Sequence, residues 1–142
     1  VCSSDLALMK LYVEEQHTAL MRTTCEQSSS IVVSDITWVE MRSALALRVR
    51  TQQTSEADAE AALQKLRIEW LAYQGLELDS SIFETAGNYA AAFQLRAYDS
   101  VQLACAQSAN ISLGGQMTFC CFDKALNNAA RVLGMRVLEL AP

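Results

Sequence analysis

Short apolar runs alternate with stretches of helical period along this chain, and no other feature constrains its fold as strongly. Residues 31–33 form a β-branched run bounded by serines, residues 117–122 form a longer run, and residues 76–78 and 136–140 read as two further strands. Between them lie helical patterns. Trp38, Met41, Leu45 and Val49 recur at spacings of three and four up to about residue 51, and Leu63, Leu66 and Trp70 do the same in a helix capped by Thr54 or Ser55 and ending near 71. The short link between these two predicts an antiparallel hairpin. Asp79 or Ser80 caps an Ala-rich helix to about 95, Asp99 opens another to about 110, and Lys124 begins one stopped by Gly134. A helical start over 7–13 and a short helix over 17–25 precede all of these, whereas residues 1–6 show no strand. Such alternation predicts an α/β fold: a three-layer α/β/α sandwich around a mostly parallel central sheet, with ligands at the carboxyl ends of the strands.

At 142 residues and 51% hydrophobic, the chain is the size of one domain, 1–142, with enough apolar surface for its own core. It carries no apolar run of the roughly 18 residues that a membrane span needs, so a soluble protein without a membrane partner is expected. The five cysteines have neither a C-x-x-C pair nor zinc-finger spacing, and they read as reduced core thiols of a cytoplasmic protein. A net charge of −5 gives no support to loose electrostatic attachment to nucleic acid. Any nucleic acid chemistry must be local, with a metal supplying the positive charge.

Three acids stand out by position. Glu40 lies three residues after Thr37, which is also the spacing of a capping box; Asp99 and Asp123 each precede a helix and could be ordinary N-caps. Taken together, Glu40 and Asp123 follow strands and share one sheet edge, where folding could bring them to Asp99. Clustered carboxylates of this kind suit Mg²⁺ or Mn²⁺, hard ions that take carboxylate oxygens.

The order of four segments is the most specific signal: Ala-Leu-Met-Lys-Leu-Tyr-Val-Glu-Glu at 7–15, Ser-Asp-Ile-Thr-Trp-Val-Glu at 34–40, Leu-Arg-Ala-Tyr-Asp-Ser-Val-Gln-Leu at 95–103 and Phe-Asp-Lys-Ala-Leu at 122–126. This pattern resembles the PIN domain, specifically VapC-type toxins, from Ala7 onward. The resemblance implies cleavage of RNA with Mg²⁺ (or Mn²⁺), Glu40, Asp99 and Asp123 as catalytic and metal-holding acids, a homodimer, and a small antitoxin protein that fills the acidic site. The helical hairpin over 37–71 is the expected antitoxin contact. In the family the first motif resembles an apolar strand ending in Asp-x-Ser-Ala-Leu-x-Lys, and aligning Ala7, Leu8 and Lys10 puts the first ligand's slot at Ser4. Asp5 sits one position late and would point to the opposite face of a strand. Cys121 stands where the family often carries Ser or Thr. Residues 1–6 match what the tail of a common sequencing adapter encodes in one frame and are expected not to be native.

Rival readings have less support in the residues. His17 is the only histidine, so no hydrolase triad can form without it, and Gly114-Gly115 is a turn rather than a phosphate loop. A receiver domain would need a phosphate-accepting Asp with supporting motifs, which Asp79-Ser80 lacks. A PIN-like module that only binds or dimerises is the second reading, because the first motif is defective. Arg42 and Arg96 are the arginines that could meet phosphate, although solvent exposure is the commoner role of lone basic residues.

Overall fold

The computed structural model describes residues 1–140, with Asp5 described by its backbone alone. Chain order is β1 (Cys2–Ser3), α1 (Asp5–Met9), α2 (Thr18–Glu26), β2 (Val32–Ser34), α3 (Asp35–Arg50), α4 (Glu56–Trp70), β3 (Gln74–Leu76), α5 (Ser80–Phe93), α6 (Ala97–Ser112), β4 (Thr118–Cys120), α7 (Lys124–Val132) and β5 (Arg136–Val137). The strands pair in parallel in the order β3-β2-β1-β4-β5. From β1 the chain winds outward to β2 and β3, then crosses back through α5 and α6 to place β4 on the other side of β1. The strand order therefore reverses between β1 and β4, and their carboxyl ends open a crevice there.

Period-two alternation divides the core between the two faces of the sheet. Cys2, Val32, Phe119 and Cys121 pack with Leu103, Leu126 and Ala129 of α6 and α7, while Val33 faces Leu8, Met41, Leu45 and Leu66 of α1, α3 and α4. Cys120 turns the same way as Val33's face, onto Ala7 and Met21. Adjacent Cys120 and Cys121 thus lie on opposite faces, as a strand demands, and all five cysteines are free thiols. Layer α5 is added outside α6 through Ile82, Ala86, Val101 and Cys105. The result is the expected three-layer sandwich.

Residues 1–6 correct the sequence reading. Cys2–Ser3 is a strand, and it is the central one. A two-residue strand carries no readable hydropathy pattern; it is held by backbone pairing on both sides. Cys2 lies opposite Val32 and Phe119, Ser3 lies opposite Cys120, Val32 N–H donates to the Val1 carbonyl at 2.7 Å, and Ser4 N–H donates to the Cys120 carbonyl at 3.0 Å. Small side chains let Cys2 and Ser3 fit at full burial, and the Ser3 hydroxyl is satisfied by the Ser4 carbonyl at 3.1 Å.

Element boundaries also move. The strand expected at 76–78 lies at Gln74–Leu76, because pairing with β2 begins where Gln74 N–H reaches the Ile31 carbonyl at 2.9 Å. Helix α3 begins at Asp35, three residues before the apolar period that starts with Trp38: Ser34 is its N-cap, accepting from Ile36 N–H at 3.2 Å. No described helix is long and apolar enough to cross a membrane.

Candidate active site

The displaced start of α3 decides the role open to Glu40. With Ser34 as cap, Thr37 and Glu40 lie inside the helix, and the capping box that Thr37-Trp38-Val39-Glu40 could have formed does not exist. Thr37 is fully buried and its hydroxyl accepts from Gln102 Nε2 at 2.8 Å; the same nitrogen donates to Glu40 Oε2 at 3.4 Å. Asp99 is likewise free of capping duty. Helix α6 begins at Ala97 after Arg96, and Asp99 lies in its first turn, where the helix dipole favours a carboxylate and Arg96 Nε donates to Oδ2 at 2.9 Å. Arg96 is itself 80% exposed, so this ion pair adds little stability.

Glu40 and Asp99 line one groove of about 500 Å³ with Leu6, Ile36, Val39, Leu47, Arg96 and Tyr98. The third acid has a structural duty. Asp123 is the N-cap of α7, its Oδ1 accepting from Leu126 N–H at 2.8 Å, and it does not line that groove. It stands three residues beyond β4, on the strand neighbouring β1, so it shares the carboxyl edge with Ser4. Ser4 follows β1 directly, is buried, and caps α1 by accepting from Ala7 N–H at 3.4 Å. Asp5 opens α1, and its side chain lies outside the described residues. Of the two arginines, Arg96 lines the groove, whereas Arg42 lies beside Trp38, 6.0 Å from the ring, in a separate cavity with Glu56 and Leu63.

Around Asp123 the structure adds contacts that the motifs did not show. Phe122, its neighbour, stacks on His17 at 5.4 Å between ring centroids and receives the Lys10 ammonium 4.6 Å from its ring. Lys10 is buried and pairs with Glu15 at 3.1 Å, which also binds Arg48 at 2.5 Å from the end of α3. His17 therefore packs against Phe122 as the N-cap residue of α2. Cys121 Sγ accepts from Asp123 N–H at 3.4 Å. Burial pushes the Cys2 and Cys120 thiols up to about 12.

Mg²⁺ is commonly held by one or two carboxylates, with waters and substrate phosphate completing its six oxygens. Glu40 and Asp99 in one groove fit that donor chemistry. A closed cage does not form, since no three His, Cys, Asp or Glu side chains converge among the described residues.

Comparison with known proteins agrees with this architecture. Ribonuclease VapC46 of Mycobacterium tuberculosis (strain ATCC 25618 / H37Rv) is 28% identical over 132 residues, covering 93% of this chain and 91% of the relative. Ribonuclease VapC45 of M. tuberculosis (strain CDC 1551 / Oshkosh) is 27% identical over 132 residues, covering 92% and 89%. Among solved structures, FitAcB from Neisseria gonorrhoeae superposes with a TM-score of 0.66 at 14% identity over 97% of this chain and 96% of the other, and a toxin-antitoxin complex from Klebsiella pneumoniae with a TM-score of 0.60 at 15% identity over 87% and 86%. These two likenesses concern the fold. The PIN domain model matches residues 7–132, nearly the whole chain, and the chain belongs to the PIN domain family.

Proposed function

We propose that this chain is a VapC-like endoribonuclease toxin domain that works with Mg²⁺ or Mn²⁺ and is neutralised by a small antitoxin. One observation carries the reading: Glu40 and Asp99, neither of them needed to cap a helix, line a single groove where the strands end. The names of the relatives point the same way, since VapC45 and VapC46 are ribonucleases and the Klebsiella neighbour is a toxin-antitoxin complex. Glu40 and Asp99 would hold the ion, with Asp123 contributing from the α7 N-terminus across the same edge. When bound, the ion supplies an acidified water and neutralises charge on an RNA phosphodiester. Arg96, paired to Asp99, is the cation placed to meet phosphate at the groove. The hairpin of α3 and α4 is the proposed antitoxin contact, the working form is proposed to be a homodimer, and the cytoplasm is its proposed setting, where the five thiols stay reduced.

A second reading is favoured by a specific observation. Ser4 offers a hydroxyl, already engaged as a cap, where the family's pattern has its first carboxylate, and a three-donor cluster is missing among the described residues. This chain is then an impaired member that binds its partners without cutting RNA. Replacing residues 1–6 with an apolar strand ending in Asp-x-Ser separates the two. RNA cleavage with Mg²⁺ that arises in the graft and disappears on Glu40→Gln or Asp99→Asn is the expected outcome. A graft that folds and never cleaves refutes the nuclease reading.

A further inference from the structure

We infer that Gln102 is a positioning residue for Glu40, its side-chain amide braced on Thr37 so that it holds the Glu40 carboxylate at the groove; this rests on the reading of Glu40 and Asp99 as metal-holding acids. Gln102 lies one helical turn after Asp99 on α6, and Thr37 lies one turn before Glu40 on α3, so the two pairs face each other where these helices meet. A glutamine is out of place among Val101, Leu103 and Ala104. It is only 2% exposed, and burying an amide is unfavourable unless its hydrogen-bonding groups find partners.

The partners define the role. Both acceptors of Nε2 are oxygens, the Thr37 hydroxyl at 2.8 Å and Glu40 Oε2 at 3.4 Å, and one NH₂ group has two hydrogens to serve them. Turning the amide over would set its oxygen against a carboxylate, which fixes its orientation. The shorter bond is to Thr37, itself fully buried, so Thr37 anchors the amide plane and the second N–H is left to steer Glu40. A glutamate has three rotatable side-chain bonds, and a carboxylate meant to hold an ion gains from an outer partner that limits them. The polar groups that Gln102 meets across the α3–α6 contact are Thr37 and Glu40, so its donor serves that pair.

The test titrates Mn²⁺ into the full chain and follows paramagnetic broadening of NMR signals from the groove, including the backbone amides of Asp99 and of Ser43, which lines the groove beside Glu40, with Glu40→Gln as control. Gln102→Met keeps the volume and removes the donor; Thr37→Val removes the anchor at equal size; Thr37→Ser restores its hydroxyl. The expected result is groove broadening in the parent, a rise of about tenfold in the Mn²⁺ needed for Gln102→Met and Thr37→Val, and parental behaviour for Thr37→Ser. A merely structural glutamine predicts lower melting temperatures with unchanged Mn²⁺ dependence, and that result overturns the inference while leaving the metal reading standing. If the parent shows no groove broadening that Glu40→Gln removes, the metal reading fails and the inference falls with it. Should Gln102→Met not fold, Thr37→Val against Thr37→Ser decides alone.

Discussion

Asp123 has a cap to make and a charge to offer, and two substitutions separate these duties. Its Oδ1 accepts from Leu126 N–H at 2.8 Å, and Leu126 is 2% exposed, so the amide at that turn has little access to water. Asp123→Asn retains an oxygen able to accept this bond, and Asn and Asp rank alike as N-caps. Only the interaction of the charge with the α7 dipole is lost, about 0.5 kcal/mol. Asp123→Ala removes the acceptor as well, for a total of about 1–2 kcal/mol. In a domain of this size that lowers the melting temperature by roughly 3–6 °C, against about 1–2 °C for Asn. Thermal melts followed by circular dichroism resolve the difference. In the strand-grafted form, both variants should lose RNA cleavage to the same extent despite their unequal stabilities. An Asn variant that melts as low as Ala refutes the cap assignment; an Asn variant that cleaves at the parent's rate refutes any use of the charge.

Ser4→Asp keeps a good cap for α1 but puts a carboxylate at a position 1% exposed, on the edge shared with Asp123. Its melting temperature should fall without metal and recover with millimolar Mg²⁺ by more than the parent's rises; equal metal responses in the two proteins would show that no ion is recruited there. Alkaline pH should destabilise the fold through the core thiols. Burial raises Cys2 and Cys120 from 9.0 to about 12, so the folded state favours the protonated forms. Their contribution is complete below about pH 9 and is lost as pH rises toward 12, by up to about 1.4 kcal/mol per pH unit for each thiol. Urea unfolding between pH 7 and 11 checks this, and a stability that rises above pH 9 contradicts the burial of these thiols.

The parts of the fold legible in the sequence are those set by neighbours along the chain. Apolar period marked α3 through α7, the run at 31–33 and the run at 117–122 marked β2 and β4, and Ser55, Asp79 and Asp123 cap their helices through bonds to residues three positions on. A cap, a turn or an amphipathic face is satisfied within a few residues, so its signature is local. Whether Glu40 and Asp99 are caps was not legible, because each spacing matched a local motif. Ser34 and Arg96 took the N-cap positions, and that released both acids to the groove. The central strand at Cys2–Ser3 exists only through its two neighbours in the sheet, which stand about thirty and more than a hundred positions away. The same holds for Gln102 meeting Thr37 and Glu40, and for Glu15 joining Lys10 to Arg48. These are pairings between elements, and a residue type alone does not say which distant hydrogen bond or charge it will find. The sequence by itself determined the alternation of strands and helices, the layers that follow from it and the family's motifs; the tertiary structure alone decided which acids share a groove and what holds them, since side chains distant in sequence meet only when the sheet brings the strand ends to one edge.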